Sequence, residues 1–118
     1  MDPEQMKRRT KEFALAIIRF CRTLPETREA RLIGGQLFRC GTSVGSNYRA
    51  VCRARSKADF VSKMGIVLEE ADESVFWLEL LAESHIVCQD AVAPLAREAS
   101  ELVAIFVASL NTARGNKT

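Results

Sequence analysis

The stretch Gly41-Thr42-Ser43-Val44-Gly45 decides the fold, because the same five residues support two incompatible structures. As G-x-S-x-G they match the sharp strand-to-helix turn on which α/β-hydrolases mount a nucleophilic serine. Asp59, Asp72 and the single histidine, His85, even follow in the order serine, acid, histidine. As part of a continuous helix, the motif instead sets two glycines four apart on one face, where a neighbouring backbone can approach closely. The flanking residues discriminate. Ile33, Leu37, Cys40, Val44, Tyr48 and Val51 carry a three-four apolar spacing straight through the motif, which is the period of a helix. With no strand before Ser43 and no turn to strain it, a serine hydrolase is not expected.

The same spacing extends outward in both directions. Met6, Phe13, Ile17, Phe20 and Leu24 form a first stripe, with Lys7, Arg8, Lys11, Arg19 and Arg22 off it, and Pro25 ends the segment. Thr27 is a plausible N-cap for the second helix, which runs to about Ala54. Ser56-Lys57-Ala58-Asp59 reads as a capping box, with the Asp59 carboxylate reaching back to the cap amide. Phe60, Met64, Val67, Ala71, Val75, Leu78 and Ala82 mark a third helix that fades around Ser84 to Ile86. In the fourth, Asp90 is the candidate cap, Pro94 falls in the first turn, and Leu95, Ala99, Leu102, Phe106 and Leu110 share a face. Sustained alternation at two is absent. The expectation is an all-α, antiparallel up-down-up-down four-helix bundle forming a single domain over residues 1–118, with frayed ends at about 1–5 and 114–118.

Composition narrows the function classes. Of 118 residues, 47% are hydrophobic and 27% charged, a balance that suits one packed core. The longest apolar runs, such as Leu102 to Ala108, are far shorter than a membrane span, and Met1 to Lys11 leads into no signal-peptide pattern. A soluble cytoplasmic protein is expected. The four cysteines, Cys21, Cys40, Cys52 and Cys88, form no CxxC pair and read as free buried thiols. Only the His85 to Cys88 spacing hints at a metal, too little for a zinc site. Glu69, Glu70, Asp72, Glu73, Glu79 and Glu83 crowd the third helix, yet no Glu-x-x-His occurs, so a ferritin-like di-metal centre is not expected. No cofactor, metal or small-molecule substrate is called for.

Two surfaces exceed what an isolated bundle needs. Val75 to Leu81 and Val103 to Val107 are apolar nearly all the way round their helices, so Phe76, Trp77, Leu80, Leu81, Val103 and Val107 are candidates for contact with another copy of the chain. Arg39, Arg49, Arg53, Arg55 and Lys57 concentrate positive charge on the second helix and its end, with no acid between Gln36 and Ala58. The net charge is only +2, from 17 basic and 15 acidic residues, so a polyanion such as RNA or DNA would be attracted locally. Pairing of these arginines with the acid-rich third helix is the alternative. Tyr48, the one interleaved aromatic, lies on the core face, so base stacking is not indicated. Ser43 and Asn47, four apart beside the apolar stripe, read as polar residues that hydrogen-bond between helices and set their register.

Phe38 to Ala50, continued by Cys52-Arg53-Ala54-Arg55-Ser56-Lys57-Ala58-Asp59-Phe60, resembles the bacterial four-helix-bundle proteins encoded in intervening sequences of large-subunit ribosomal RNA genes. The resemblance takes in the approach at Ile33 to Leu37, the Arg39, Ser43 and Asn47 pattern, the Arg-Ser-Lys-x-Asp-Phe turn, Glu70-Ala71-x-x-Ser74 and Trp77-Leu78-Glu79. It implies an antiparallel bundle assembled into a homopentamer, without known enzymatic activity. The family is also similar to the accessory protein of diversity-generating retroelements, a basic pentameric barrel that binds a reverse transcriptase and nucleic acid. Where members often have a glutamate-glycine pair soon after the asparagine, this chain has Ala50-Val51, so no role of that acid carries over. Together these features lead to a non-catalytic homo-oligomeric module that binds RNA or a nucleoprotein partner through its second helix. A protein-protein scaffold with no nucleic-acid role is the second expectation.

Overall fold

The structure is a computed structural model that describes residues 2–115. Among them the chain forms four helices, α1 (Pro3–Cys21), α2 (Arg28–Val51), α3 (Lys57–Glu83) and α4 (Gln89–Ala113), and no strand. Each of the first three starts on a side chain that accepts from an otherwise unpaired amide. Asp2 accepts from Gln5 N, Thr27 from Ala30 N and Ser56 from Asp59 N. The Asp2 cap and Pro3 at the first helical position mean that residues 3–5, expected to fray, are helical.

Successive helices run antiparallel, α1 against α2, α2 against α3 and α3 against α4, while α1 meets α4 along a much thinner seam. The striped positions supply the core. Phe13, Ile17, Leu37, Val44, Val67, Leu78, Leu102 and Phe106 are all nearly or fully buried, and Tyr48 stacks on Phe106 with ring centroids 6.3 Å apart. The thin α1–α4 seam is bridged by Arg9, whose guanidinium donates to both carboxylate oxygens of Glu98 at 2.8 Å.

The glycines of the opening motif do what a helix interpretation requires. A Cβ at Gly41 would lie 2.8 Å from Ile17 Cγ1, and one at Gly45 would lie 3.2 Å from the Thr10 carbonyl oxygen. Bare backbone at these two positions lets α1 sit tightly on α2. Two buried hydroxyls are absorbed locally. Thr10 Oγ1 donates to Met6 O at 2.9 Å, and Ser74 Oγ to Glu70 O at 2.9 Å, with Cys40 Sγ 3.3 Å away across the α2–α3 seam.

Several boundaries depart from the sequence expectation. Helix α1 stops at Cys21, before Leu24, because Pro25 disfavours helical backbone at the preceding residue, and Thr23 Oγ1 takes up the Phe20 carbonyl at 2.7 Å. Helix α2 ends at Val51 rather than Ala54. The Asp59 carboxylate accepts from Arg55 N at 3.0 Å, one residue before the cap amide it was expected to reach. Helix α4 begins after Cys88, which makes no side-chain cap bond, so Asp90 lies in the first turn instead of capping it and Pro94 in the second. His85 takes the left-handed position after α3, φ 62°, where glycine is usual. Its N–H bonds Ala82 O at 3.0 Å and the next, Ile86 N–H, bonds Leu81 O at 3.1 Å. The sole histidine thus closes a helix. Of the expected fraying at 114–118, the part at 116–118 lies outside the described residues.

Candidate nucleic-acid interface

The sequence grouped five basic residues, and the structure separates them. Arg39 turns to α3, with a guanidinium nitrogen 3.3 Å from Glu73 and another 3.8 Å from Glu70, and it also donates to Gln36. It is thus drawn toward the acids of α3 rather than toward Arg49 and Arg53. Arg55 and Lys57 stand exposed at the turn between α2 and α3, where Arg55 contributes its backbone N–H to Asp59. Arg49, in the last turn of α2, and Arg53, in the turn just after it, remain exposed and have no ion-pair partner among the described residues.

These two arginines line a groove of about 390 Å³ between α1 and α2. Its opposite wall is made by Lys7, Lys11 and Ala14 of α1, and its floor by Thr42, Gly45 and Ser46 of α2. A smaller extension is lined by Lys7, Arg49, Cys52 and Arg53. Among the described residues no carboxylate lines either part. Lys11 likewise has no ion-pair partner among the described residues, and Lys7 is 3.2 Å from exposed Glu4, a pair of a kind that contributes little. The groove therefore gathers four cations, Lys7 and Lys11 from α1 on one side, and Arg49 from the last turn of α2 with Arg53 from the turn after it on the other.

Sequence reasoning does not single out Lys7 and Lys11, which the fold brings into this groove. Their one-turn spacing off the α1 stripe was legible, but not the flank of α1 that faces α2. The close approach at Gly41 and Gly45 determines it, since it brings α1 down beside the Arg49 side of α2.

The hydroxyls are oriented by the helix itself. Thr42 Oγ1 donates to Phe38 O at 2.7 Å, Ser46 Oγ to Ser43 O at 3.3 Å and Ser43 Oγ to Arg39 O at 2.7 Å. Ser43 is therefore bonded within its own helix, the geometry of an ordinary mid-helix serine. The expected interhelical role of Ser43 and Asn47 is not what the structure shows. Among the described residues Ser43 bonds no other helix and the Asn47 side chain makes no hydrogen bond. The buried contact between α2 and α3 is that of Cys40 with Ser74. Burial raises the Cys21 and Cys40 thiols above the ordinary value. Cys52 and Cys88 are exposed rather than buried as expected. Burial, reinforced by neighbouring Cys52, pushes the Tyr48 phenol up to about 12.

Of the proposed contact residues, Phe76 is 52% and Val107 40% exposed, while Trp77, Leu80 and Val103 are half-buried. Leu81 is fully buried and belongs to the core, because α3 turns that position into the bundle. Phe76 and Trp77 pack edge to face at 4.9 Å, and the Trp77 indole N–H is buried without an acceptor among the described residues. Leu32, the most exposed large apolar residue at 62%, and Ile66 were not anticipated. A larger opening of about 720 Å³ between the start of α1 and the end of α4 is walled by Met6, Tyr48, Phe60, Met64 and Phe106, with no charged group among the described residues that line it. Among the described residues no helix is long and apolar enough to cross a membrane, and no group of three or more potential ligands converges on a metal position.

Comparison with curated proteins finds no match. Among solved structures, the chain is similar to a protein of unknown function from the S23 ribosomal protein family of Bacteroides thetaiotaomicron VPI-5482. The two share 29% identity and superpose with a TM-score of 0.86, covering 94% of this chain and 99% of the other. The signature of the 23S rRNA-intervening sequence proteins matches residues 4–108, which reach from the first turn of α1 well into α4. The chain belongs to the 23S rRNA-intervening sequence protein family.

Proposed function

We propose that the protein is a non-catalytic, homo-oligomeric helical module that binds RNA through the basic end of α2. The observation that carries this reading is the exposure of Arg49 and Arg53 without ion-pair partners among the described residues, whereas Arg39 in the middle of α2 lies beside Glu70 and Glu73. Unpaired guanidinium groups attract phosphate and release the counterions condensed on it. The family name and the ribosomal protein family of the similar structure support an RNA setting. Exposed Phe76 and Val107 support contact with further copies. The pentamer implied by the sequence resemblance is the proposed assembly, and the cytoplasm the proposed location.

The test is the double variant Arg49→Ala and Arg53→Ala, assayed by RNA binding across a salt series and by light scattering. Affinity and its salt dependence should both fall while the oligomeric mass stays that of the wild type. Unchanged RNA binding would refute the assignment. The scaffold reading is favoured by the pairing of Arg39 with α3, and it predicts no RNA affinity at physiological salt.

A further inference from the structure

The α1–α2 groove holds more chemistry than the arginines that mark it. Lys7 and Lys11 face Arg49 and Arg53 across it, with neither acid nor aromatic among its lining residues. Without aromatic platforms it lacks the means by which proteins hold unstacked single strands. Two pairs of cations, Lys7 and Lys11 one turn apart on α1 and Arg49 and Arg53 at the end of α2, instead suit a row of phosphates presented by a stacked strand. Thr42 and Ser46 add a second criterion. The Thr42 hydroxyl donates to the Phe38 carbonyl at 2.7 Å and that of Ser46, more loosely, to the Ser43 carbonyl at 3.3 Å, which leaves lone pairs on both oxygens to accept from a ligand. The sugar-phosphate backbone offers one such donor, the ribose 2′-hydroxyl, which DNA lacks.

We propose that this groove seats the sugar-phosphate backbone of double-stranded RNA, with Lys7, Lys11, Arg49 and Arg53 on phosphates and the Thr42 and Ser46 hydroxyls accepting from 2′-hydroxyl groups. The inference rests on the RNA-binding reading above and specifies its ligand as backbone, recognised without regard to base sequence. Each groove neutralises up to four phosphates, so removing the two lysines halves the electrostatic contribution.

The experiment is fluorescence anisotropy of a labelled RNA duplex of about 16 base pairs, titrated with the full chain over a salt series. The double variant Lys7→Gln and Lys11→Gln should bind about 30-fold more weakly at about 0.15 M salt, with about half the wild-type slope of log affinity against log salt. Circular dichroism of the variant should match the wild type, since both side chains reach solvent. A duplex of scrambled sequence should bind equally, and a DNA duplex more weakly, with the Thr42→Ala and Ser46→Ala variant narrowing that difference. Wild-type affinity and slope in the lysine variant, alongside weakened binding by Arg49→Ala and Arg53→Ala, would overturn the groove while leaving RNA binding intact. Binding of single strands but not duplexes would do the same. Failure of the wild type to bind any RNA would overturn both readings, and equal affinity for RNA and DNA duplexes would refute the role given to the hydroxyls.

Discussion

Replacing Gly41 by alanine tests whether α1 and α2 are as closely packed as described. In an exposed helix interior, glycine to alanine stabilises by about 1 kcal/mol, because the glycine chain loses more freedom on folding. Gly65 in α3 provides that reference, since a Cβ there meets nothing within 4 Å. At Gly41 the new Cβ would stand 2.8 Å from Ile17 Cγ1, with the Cγ2 and Cδ1 atoms at 3.1 and 3.2 Å. Ile17 is fully buried and β-branched, so it has no free rotamer into which to retreat. Overpacking of this kind costs about 1–3 kcal/mol, which outweighs or cancels the propensity gain. The two variants should therefore separate by roughly 1–3 kcal/mol, Gly65→Ala above the wild type and Gly41→Ala at or below it. Urea denaturation measures this, with protein concentration held constant because assembly would contribute to stability. A Gly41→Ala protein stabilised as much as Gly65→Ala would refute the close approach, and with it the reason for reading the opening motif as a packing device. Gly45→Ala adds a functional arm. Its Cβ would press on the Thr10 carbonyl, a backbone atom that cannot swing aside, so relief requires α1 to shift and Lys7 and Lys11 to move with it.

Three further outcomes follow from individual residues. His85→Gly should raise stability by about 1 kcal/mol, because it removes a side chain from left-handed backbone, and an unchanged thermal midpoint would contradict the strain. Hydrogen bonding from Lys63, joined by the Arg55 N–H, holds the Asp59 carboxyl below its ordinary 3.8. A group depressed on folding stabilises above its unfolded value and loses that contribution as pH falls through the folded one. Asp59→Asn should accordingly flatten the acid limb of the thermal midpoint below pH 3.8, and an identical limb would refute the role of the pair. A thiol reagent applied to the native protein should label exposed Cys52 and Cys88 rapidly, and Cys21 and Cys40 slowly, since burial disfavours their thiolates. Equal rates at all four would show that α1 and α2 do not protect them.

The architecture was legible because it depends on periodicity and capping, both written locally in the chain. The stripes through Ile17, Val44, Leu78 and Phe106 became the core, and Thr27 and Ser56 became caps. Misses arose where the outcome depends on a neighbour. Asp90 has the right chemistry for a cap, but α4 starts earlier, directly after the turn that follows His85. Leu81 looked like surplus apolar surface, yet the bundle is thick enough at that level to bury it. Likewise, an arginine run on one helix cannot reveal which members find acids across a seam. Arg39 meets Glu70 and Glu73, Arg49 and Arg53 meet the α1 lysines, and only the packing of three helices distinguishes these cases.

The proposed assembly of copies carries RNA on its basic grooves. Size-exclusion chromatography of gently purified protein, with light scattering and absorbance recorded at protein and nucleic-acid wavelengths, tests it most directly. The predicted result is a mass near five times that of one chain, with excess nucleic-acid absorbance that ribonuclease or high salt removes. A monomer free of nucleic acid, which also fails to bind added RNA, would contradict the claim.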